Sequence, residues 1–200
     1  MEALDAAHRN TSERADDNHL ATIFQDLRPL LSSDEAIVEA NRCLECGGPY
    51  AQAPCVEGCP AEVDVPGFIT AIARGDASRA ADIIFDQNIL GASCSRVCPV
   101  EQFCEGACVL QKEGRRPVSI GRLQRFAAES ELQKRFQFRA VAKPNGKRVS
   151  VIGGGPAGLS CAAELAIKGY KVVVYDKNED RGGCGRAQSR SAPARRDPRS

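Results

Sequence analysis

The sequence has almost no charge imbalance. Its 27 lysines and arginines meet 26 aspartates and glutamates, for a net charge of +1. So balanced a surface lacks the basic footprint of a nucleic-acid or membrane-surface protein. No run of about 18 apolar residues occurs, so no membrane-spanning helix is expected. The opening Met1-Glu2-Ala3-Leu4-Asp5 has neither the basic nor the apolar region of a secretory signal. Histidine is scarce. Only His8 and His19 occur, both ahead of the cysteines, which argues against mixed Cys/His zinc sites.

Cysteine, by contrast, is abundant. Eight of the ten cysteines lie between Cys43 and Cys108. They read Cys43-x2-Cys46, Cys55-x3-Cys59-Pro60, Cys94-x3-Cys98-Pro99 and Cys104-x3-Cys108. Without a secretory signal, such a set fits a reducing cytoplasm, where thiols serve metals or redox chemistry. Short gaps let neighbouring thiolates reach one core, and C-x2-C with Cys-Pro are spacings that wrap cubane iron–sulfur clusters. The proline stiffens the chain leaving the site and brings no N–H. The window is therefore expected to hold two clusters. Structural zinc is the alternative, since four thiolates suit it as well, but all-cysteine zinc sites usually show two C-x2-C knuckles. Cys161 is expected in the core of a later helix, and Cys184 is assigned no metal.

Residues 1–31 are expected to form a flexible N-terminal arm, with a helical turn at 21–27. A helical domain is expected over 32–142. Ser32 and Glu35 make a capping box that starts a helix over 34–42, delivering Cys43 and Cys46 at its end. Residues 47–54 read as loop. Asp64 caps a helix with Pro66 in its first turn and a stripe of Phe68, Ile69, Ile72 and Ala73, ended by Gly75. Asp76 caps the next, over 77–86, with Ala80, Ile83, Ile84 and Gln87 on one side. The segment 94–108 reads as turns and half-helices moulded around metal. After the break Gly114-Arg115-Arg116-Pro117, a helix over 119–136 presents Ile120, Leu123, Phe126, Ala127 and Ser130 for core packing. Pro144-Asn145-Gly146 marks a domain boundary.

Residues 147–183 change pattern. A strand over 148–152 leads into Gly153-Gly154-Gly155-Pro156-Ala157-Gly158, a helix over 159–168, a second strand over 171–175 and Asp176. This is a dinucleotide-binding fingerprint. Gly153 makes the tight turn, Gly155 admits a pyrophosphate, and Gly158 lets helix and strand pack closely. The helix N-terminus favours the anion, and Asp176 is placed to accept from a ribose hydroxyl. A Gly-rich turn in an ordinary β-α-β unit is the plainer alternative. One β-α-β unit alone covers neither sheet face well, so 148–180 is expected to be marginally stable and to bind a dinucleotide weakly. Residues 184–200, rich in Arg, Ser, Ala and Pro, are expected to be disordered.

The segments RCLECG, CPAEVDVPGFITAIARGD, IFDQNILG, RVCPVEQFCEGACV, PVSIGRLQRFA, VIGGGPAGLSCAAELA and VVVYDK together resemble one family. It is the iron–sulfur, FAD-containing electron-input module shared by the glutamate synthase small subunit and dihydropyrimidine dehydrogenase. The resemblance covers about residues 35–184, and DVPGFITAIA, IFDQNILG and IGRLQRFA lean to the dihydropyrimidine dehydrogenase side. It implies an α-helical domain with two [4Fe-4S] clusters, followed by the first β-α-β unit of a Rossmann-like FAD-binding α/β domain. It also implies an interleaved ligand set. Cys43, Cys46, Cys55 and Cys108 would take the first cluster. Cys59, Cys98, Cys104 and the side chain of Gln124 would take the second, leaving Cys94 as a spare thiol. Spacing alone would choose Cys94 instead and leave Gln124 on a helix surface.

For FAD the resemblance implies Gly153, Gly154, Gly155, Pro156, Ala157 and Gly158 around the pyrophosphate, Asp176 at the ribose, and Val97 in contact. In the whole family architecture, NAD(P)H reduces FAD and the clusters pass single electrons to a partner flavoenzyme, of the FMN dihydropyrimidine dehydrogenase type or the glutamate synthase large-subunit type. Two departures stand out. The gap between Cys46 and Cys55 is longer than in the family's best-known members. The sequence also stops at Ser200, before the rest of the FAD domain and the NAD(P)H domain, and is expected to be a truncated member. No residue offers itself as an acid, base or nucleophile. The readings from other classes are a stand-alone iron–sulfur electron carrier and a zinc-bound interaction module.

Overall fold

Capping chemistry starts three of the helices where the sequence puts it. The computed structural model describes residues 29–48, 51–133 and 141–177. The helical turn expected at 21–27 and the tail from 184 lie outside them. Helix α1 (Ser33–Ala40) begins at Ser32, whose N–H donates to the Glu35 carboxylate at 2.8 Å while its hydroxyl accepts from the Glu35 N–H. That backbone bond, seconded by the Ser32 hydroxyl, lowers the Glu35 pKa. Helix α2 (Pro54–Glu57) is one turn that opens on the last residue of the expected loop, because proline suits the first helical position.

Helices α3 (Val65–Ala73) and α4 (Ala77–Gln87) form a hairpin. The Asp64 carboxylate accepts from the Gly67 N–H at 3.0 Å and that of Asp76 from the Arg79 N–H at 2.8 Å. Gly75 turns the chain between them at φ +78°. Phe68, Ile69 and Ile72 of α3 are buried, as are Ala80, Ala81, Ile84 and Phe85 of α4. Gln87 is exposed, against expectation. The apolar stripe of α4 is rotated toward Phe85, whose larger apolar surface outweighs an amide in the competition for burial.

Helices α5 (Gly91–Val97), α6 (Val109–Lys112) and α7 (Ile120–Gln133) complete the helical part. Ile120, Leu123, Ala127 and Ala128 of α7 are buried, with Phe126 packed partly against them. The hairpin α3–α4 packs on α7 and α1, and α5 also packs on α7. Folding the hairpin back in this way brings residues near 55 alongside residues near 105.

Strands β1 (Arg148–Ile152) and β2 (Lys171–Tyr175) pair in parallel, from Arg148 opposite Lys171 to Ile152 opposite Tyr175. Helix α8 (Pro156–Ile167) connects them and packs on both. It starts three residues before its expected position, again on a proline. No residue of α8 is fully buried, and Cys161 is exposed rather than in a core. A two-stranded sheet is too narrow to enclose the helix. Ile152 is 90% exposed and Tyr175 58%, on strands of a kind usually covered on both faces. Among the described residues, no helix is long and apolar enough to cross a membrane.

Candidate metal centre

The expected helix ends place the thiols. Cys43 follows α1, its N–H donating to the Ala40 carbonyl at 3.0 Å. Glu45, inside the Cys43–Cys46 turn, takes the left-handed conformation at φ +49°, and its carboxylate accepts from the Thr70 hydroxyl of α3 at 3.0 Å. Cys55 lies in α2, and Cys108 is the residue before α6. Cys43, Cys46, Cys55 and Cys108 line one cavity, walled by Val65, Ile69, Leu110, Val118 and Ile120 among others. Its empty space, counted out to open solvent, is about 390 Å³.

Gly58 explains how Cys108 reaches the others. A Cβ on Gly58 would stand 3.1 Å from both the Ala107 Cβ and the Phe103 carbonyl oxygen. So Cys55-x3-Cys59 packs tightly on Cys104-x3-Cys108 at the residue just before Cys59. The two segments lie side by side in opposite directions, with Cys55 next to Cys108 and Cys59 next to Cys104. Nothing in the spacing singles out Gly58. Its place just ahead of Cys59, inside the first C-x3-C, was the available signal.

Cys104 is buried, with Cys59 and Cys98 as its neighbours. The Cys94 sulfur accepts instead from the Asn88 amide at 3.2 Å. Gln124 lies on α7, and its Nε2 donates to the Gly91 carbonyl at 2.8 Å, so its Oε1 turns away from that carbonyl. Val97 is 49% exposed at the end of α5, one residue before Cys98.

Burial is the first cause that raises the Cys43 thiol, and it pushes those of Cys55 and Cys104 up to about 12. Neighbouring thiols and, at Cys104, the Glu105 carboxylate add to the rise. Such groups ionise together only when positive charge sits between them, as a metal core supplies. Among the described residues, no three or more His, Cys, Asp or Glu side chains are grouped so as to hold a single metal ion. The raised values also set a pH response for metal-free chain. The folded thiols keep their protons above the ordinary value of 9.0, so the stability they contribute is complete below about pH 9. It is lost as pH rises toward 12. Urea midpoints of chelator-treated protein should fall over that window, and a flat profile from pH 8 to 11 would contradict the burial described here.

The glycine turn follows its pattern closely. Gly153 has φ +102°. A Cβ on Gly158 would run into the Gly153 carbonyl oxygen, so α8 can approach β1 only over a glycine. Gly155, the N-cap of α8, has nothing within 4 Å of where a Cβ would stand. The fold does not need a glycine there, whereas a pyrophosphate seated on the α8 N-terminus would. Pro156 and Ala157 form the exposed first turn. The Asp176 carboxylate accepts from the Gly154 N–H at 2.6 Å, bracing the turn from the end of β2.

Comparison with known proteins fits this division. The family model for dihydropyrimidine dehydrogenase domain II, 4Fe-4S cluster, matches residues 20–136. A model for an NAD(P)-binding Rossmann-like domain matches residues 151–196. The NAD-dependent dihydropyrimidine dehydrogenase subunit PreT of Escherichia coli (strain K12) is 39% identical over 160 residues, covering 80% of this chain and 38% of the relative. A PreT homolog from Salmonella typhi is 40% identical over 167 residues, covering 83% and 38%. The glutamate synthase [NADPH] small chain of Escherichia coli (strain K12) is 35% identical over 161 residues, covering 80% and 33%. The chain thus spans less than half the length of these relatives.

Proposed function

The chain belongs to the family of dihydropyrimidine dehydrogenase domain II, 4Fe-4S cluster, and from that premise we propose that it is an electron-transfer module with two four-iron clusters and the start of a FAD site. The observation that carries the reading is the opposed pair Cys55-x3-Cys59 and Cys104-x3-Cys108, locked at Gly58. It sorts the thiols into two groups. Cys43, Cys46, Cys55 and Cys108 would hold the first cluster. Cys59, Cys98 and Cys104 would hold the second, with Gln124 Oε1 as the fourth ligand because its amide nitrogen is committed to Gly91. A tetrahedral zinc–thiolate site needs sulfurs only about 3.8 Å apart.

Such clusters, when bound, take up and release single electrons. The chain's own residues do the rest. Val65, Ile69, Leu110, Val118 and Ile120 keep water from the first thiol group. Glu45, held by Thr70, fixes the Cys43–Cys46 turn. In the nucleotide unit the open space at Gly155 and the α8 N-terminus would receive the pyrophosphate of FAD, and Asp176 would meet its ribose. The relatives' names carry NAD or NADPH dependence, so the electron source is proposed as a reduced nicotinamide acting through FAD. The acceptor is proposed as a catalytic flavoenzyme subunit.

Anaerobic purification with iron, sulfide and zinc analysis tests the reading. Two four-iron clusters require about eight irons and eight sulfides per chain and a brown absorption spectrum. Zinc without sulfide would overturn it in favour of a structural zinc module.

A further inference from the structure

Helix α7 is held at its start by carboxylates from two other segments. The Ser119 N–H donates to Glu39 at 2.8 Å, and the Gly121 N–H donates to Glu105 at 3.0 Å. Glu39 lies in α1, four residues before Cys43. Glu105 follows Cys104 directly. One turn further along, Gln124 donates to Gly91 at the head of α5. The helix is therefore indexed against the approach to one thiol group, the heart of the other, and the segment leading to Cys98.

Glu39 is an expensive way to cap a helix. It is 8% exposed, and its carboxylate also takes Arg42 at 2.6 Å and Arg116 at 2.8 Å. Arg42, the residue before Cys43, in turn donates to the Pro117 carbonyl at 3.1 Å. A serine at position 119 can cap the helix with its own side chain, without drawing a buried charge to it. The buried carboxylate adds a fixed distance between the Cys43 turn and α7. Glu105 adds the same on the other side, together with a negative charge beside Cys104.

We propose that Glu39 and Glu105 are positioning residues, two carboxylates from the two thiol groups that clamp the N-terminus of α7 and so carry Gln124 to the second site. This rests on the two-cluster reading. In that reading α7 contributes a ligand, and the clamp ties its register to both sets of thiolates.

The test uses the full chain with Glu105→Gln, Glu105→Ala and Glu39→Gln, and Gln124→Ala as reference. Iron content, helix content and an electron-paramagnetic-resonance-monitored reductive titration are measured for each. Glu105→Gln keeps an acceptor for the Gly121 N–H and removes the charge. It should retain iron and helix content and shift one of the two reduction steps to higher potential. Glu105→Ala removes the acceptor as well and should alter the same cluster signal that Gln124→Ala alters. Glu39→Gln, which breaks two ion pairs, should alter it too. Cluster signals unchanged in Glu105→Ala and in Glu39→Gln, while Gln124→Ala alters them, would overturn the proposal. If the alanine variant loses helix content, Glu39→Gln decides alone. Wild-type iron content is a separate control. With about eight irons in the parent, these outcomes bear on the carboxylates and not on the existence of the clusters.

Discussion

Replacing Cys108 with alanine should lower iron and sulfide from about eight to about four per chain, leaving one intact cluster. The remaining spectrum should match that of Cys43→Ala and differ from that of Cys104→Ala. Spacing predicts otherwise, since Cys108 is four residues from Cys104 and far from Cys43. The proposed pairing rests on packing. Gly58 packs closely on Ala107 and Phe103, and the two C-x3-C segments meet with their ends reversed. Cys108 shares a cavity with Cys43, Cys46 and Cys55 as a result. A Cys108→Ala spectrum identical to that of Cys104→Ala would refute the crossed assignment.

Phe68→Ala should be the most damaging core substitution. Phe68 is 0% exposed and lies in α3, between α1 and the rest of the hairpin. Removing a fully buried phenylalanine costs about 3–5 kcal/mol in lost transfer energy and cavity. That is a large share of the roughly 5–15 kcal/mol that holds a domain together. The hairpin also folds the first cysteines back onto the second group, so in the proposed reading both clusters should be released with it. Anaerobic urea unfolding, followed by absorption and by helix content, checks this. A midpoint within experimental error of wild type, or loss of one cluster only, would show that α3 does not organise the two sites jointly.

Local chemistry made much of the architecture legible. Ser32 with Glu35, Asp64 and Asp76 announce three helix starts, because a side chain that bonds its own helix needs no distant partner. Both strands were readable to the residue, since a glycine turn and an acid bracket them. What failed depended on neighbours. Gln87 lost its place on α4 to Phe85, and Cys161 lost its core because α8 covers only a two-stranded sheet. The single turn α2 was invisible to periodicity because four residues are too few to show a period. In the candidate site, the thiol window was plain, but its division was not, since contacts across the fold leave no trace in spacing. Gly58, Glu39 and Glu105 were missed for the same reason. Each matters through a partner dozens of residues away or across a packed interface.

The separation of Cys108 from its cavity mates has a consequence during synthesis. Ribosomes add about 5–20 residues per second, so roughly 3–10 s pass between the emergence of Cys55 and that of Cys108. In the proposed reading, Cys43, Cys46 and Cys55 are throughout that interval three thiols waiting for a fourth. The second group is not an independent stop-gap, because Cys59 waits for the same downstream stretch. Nascent chain can therefore fill neither site in turn as it appears. On the proposed assignment, metal loading becomes an event of the finished helical domain, and a chain that stalls between the two groups emerges with its thiols unligated.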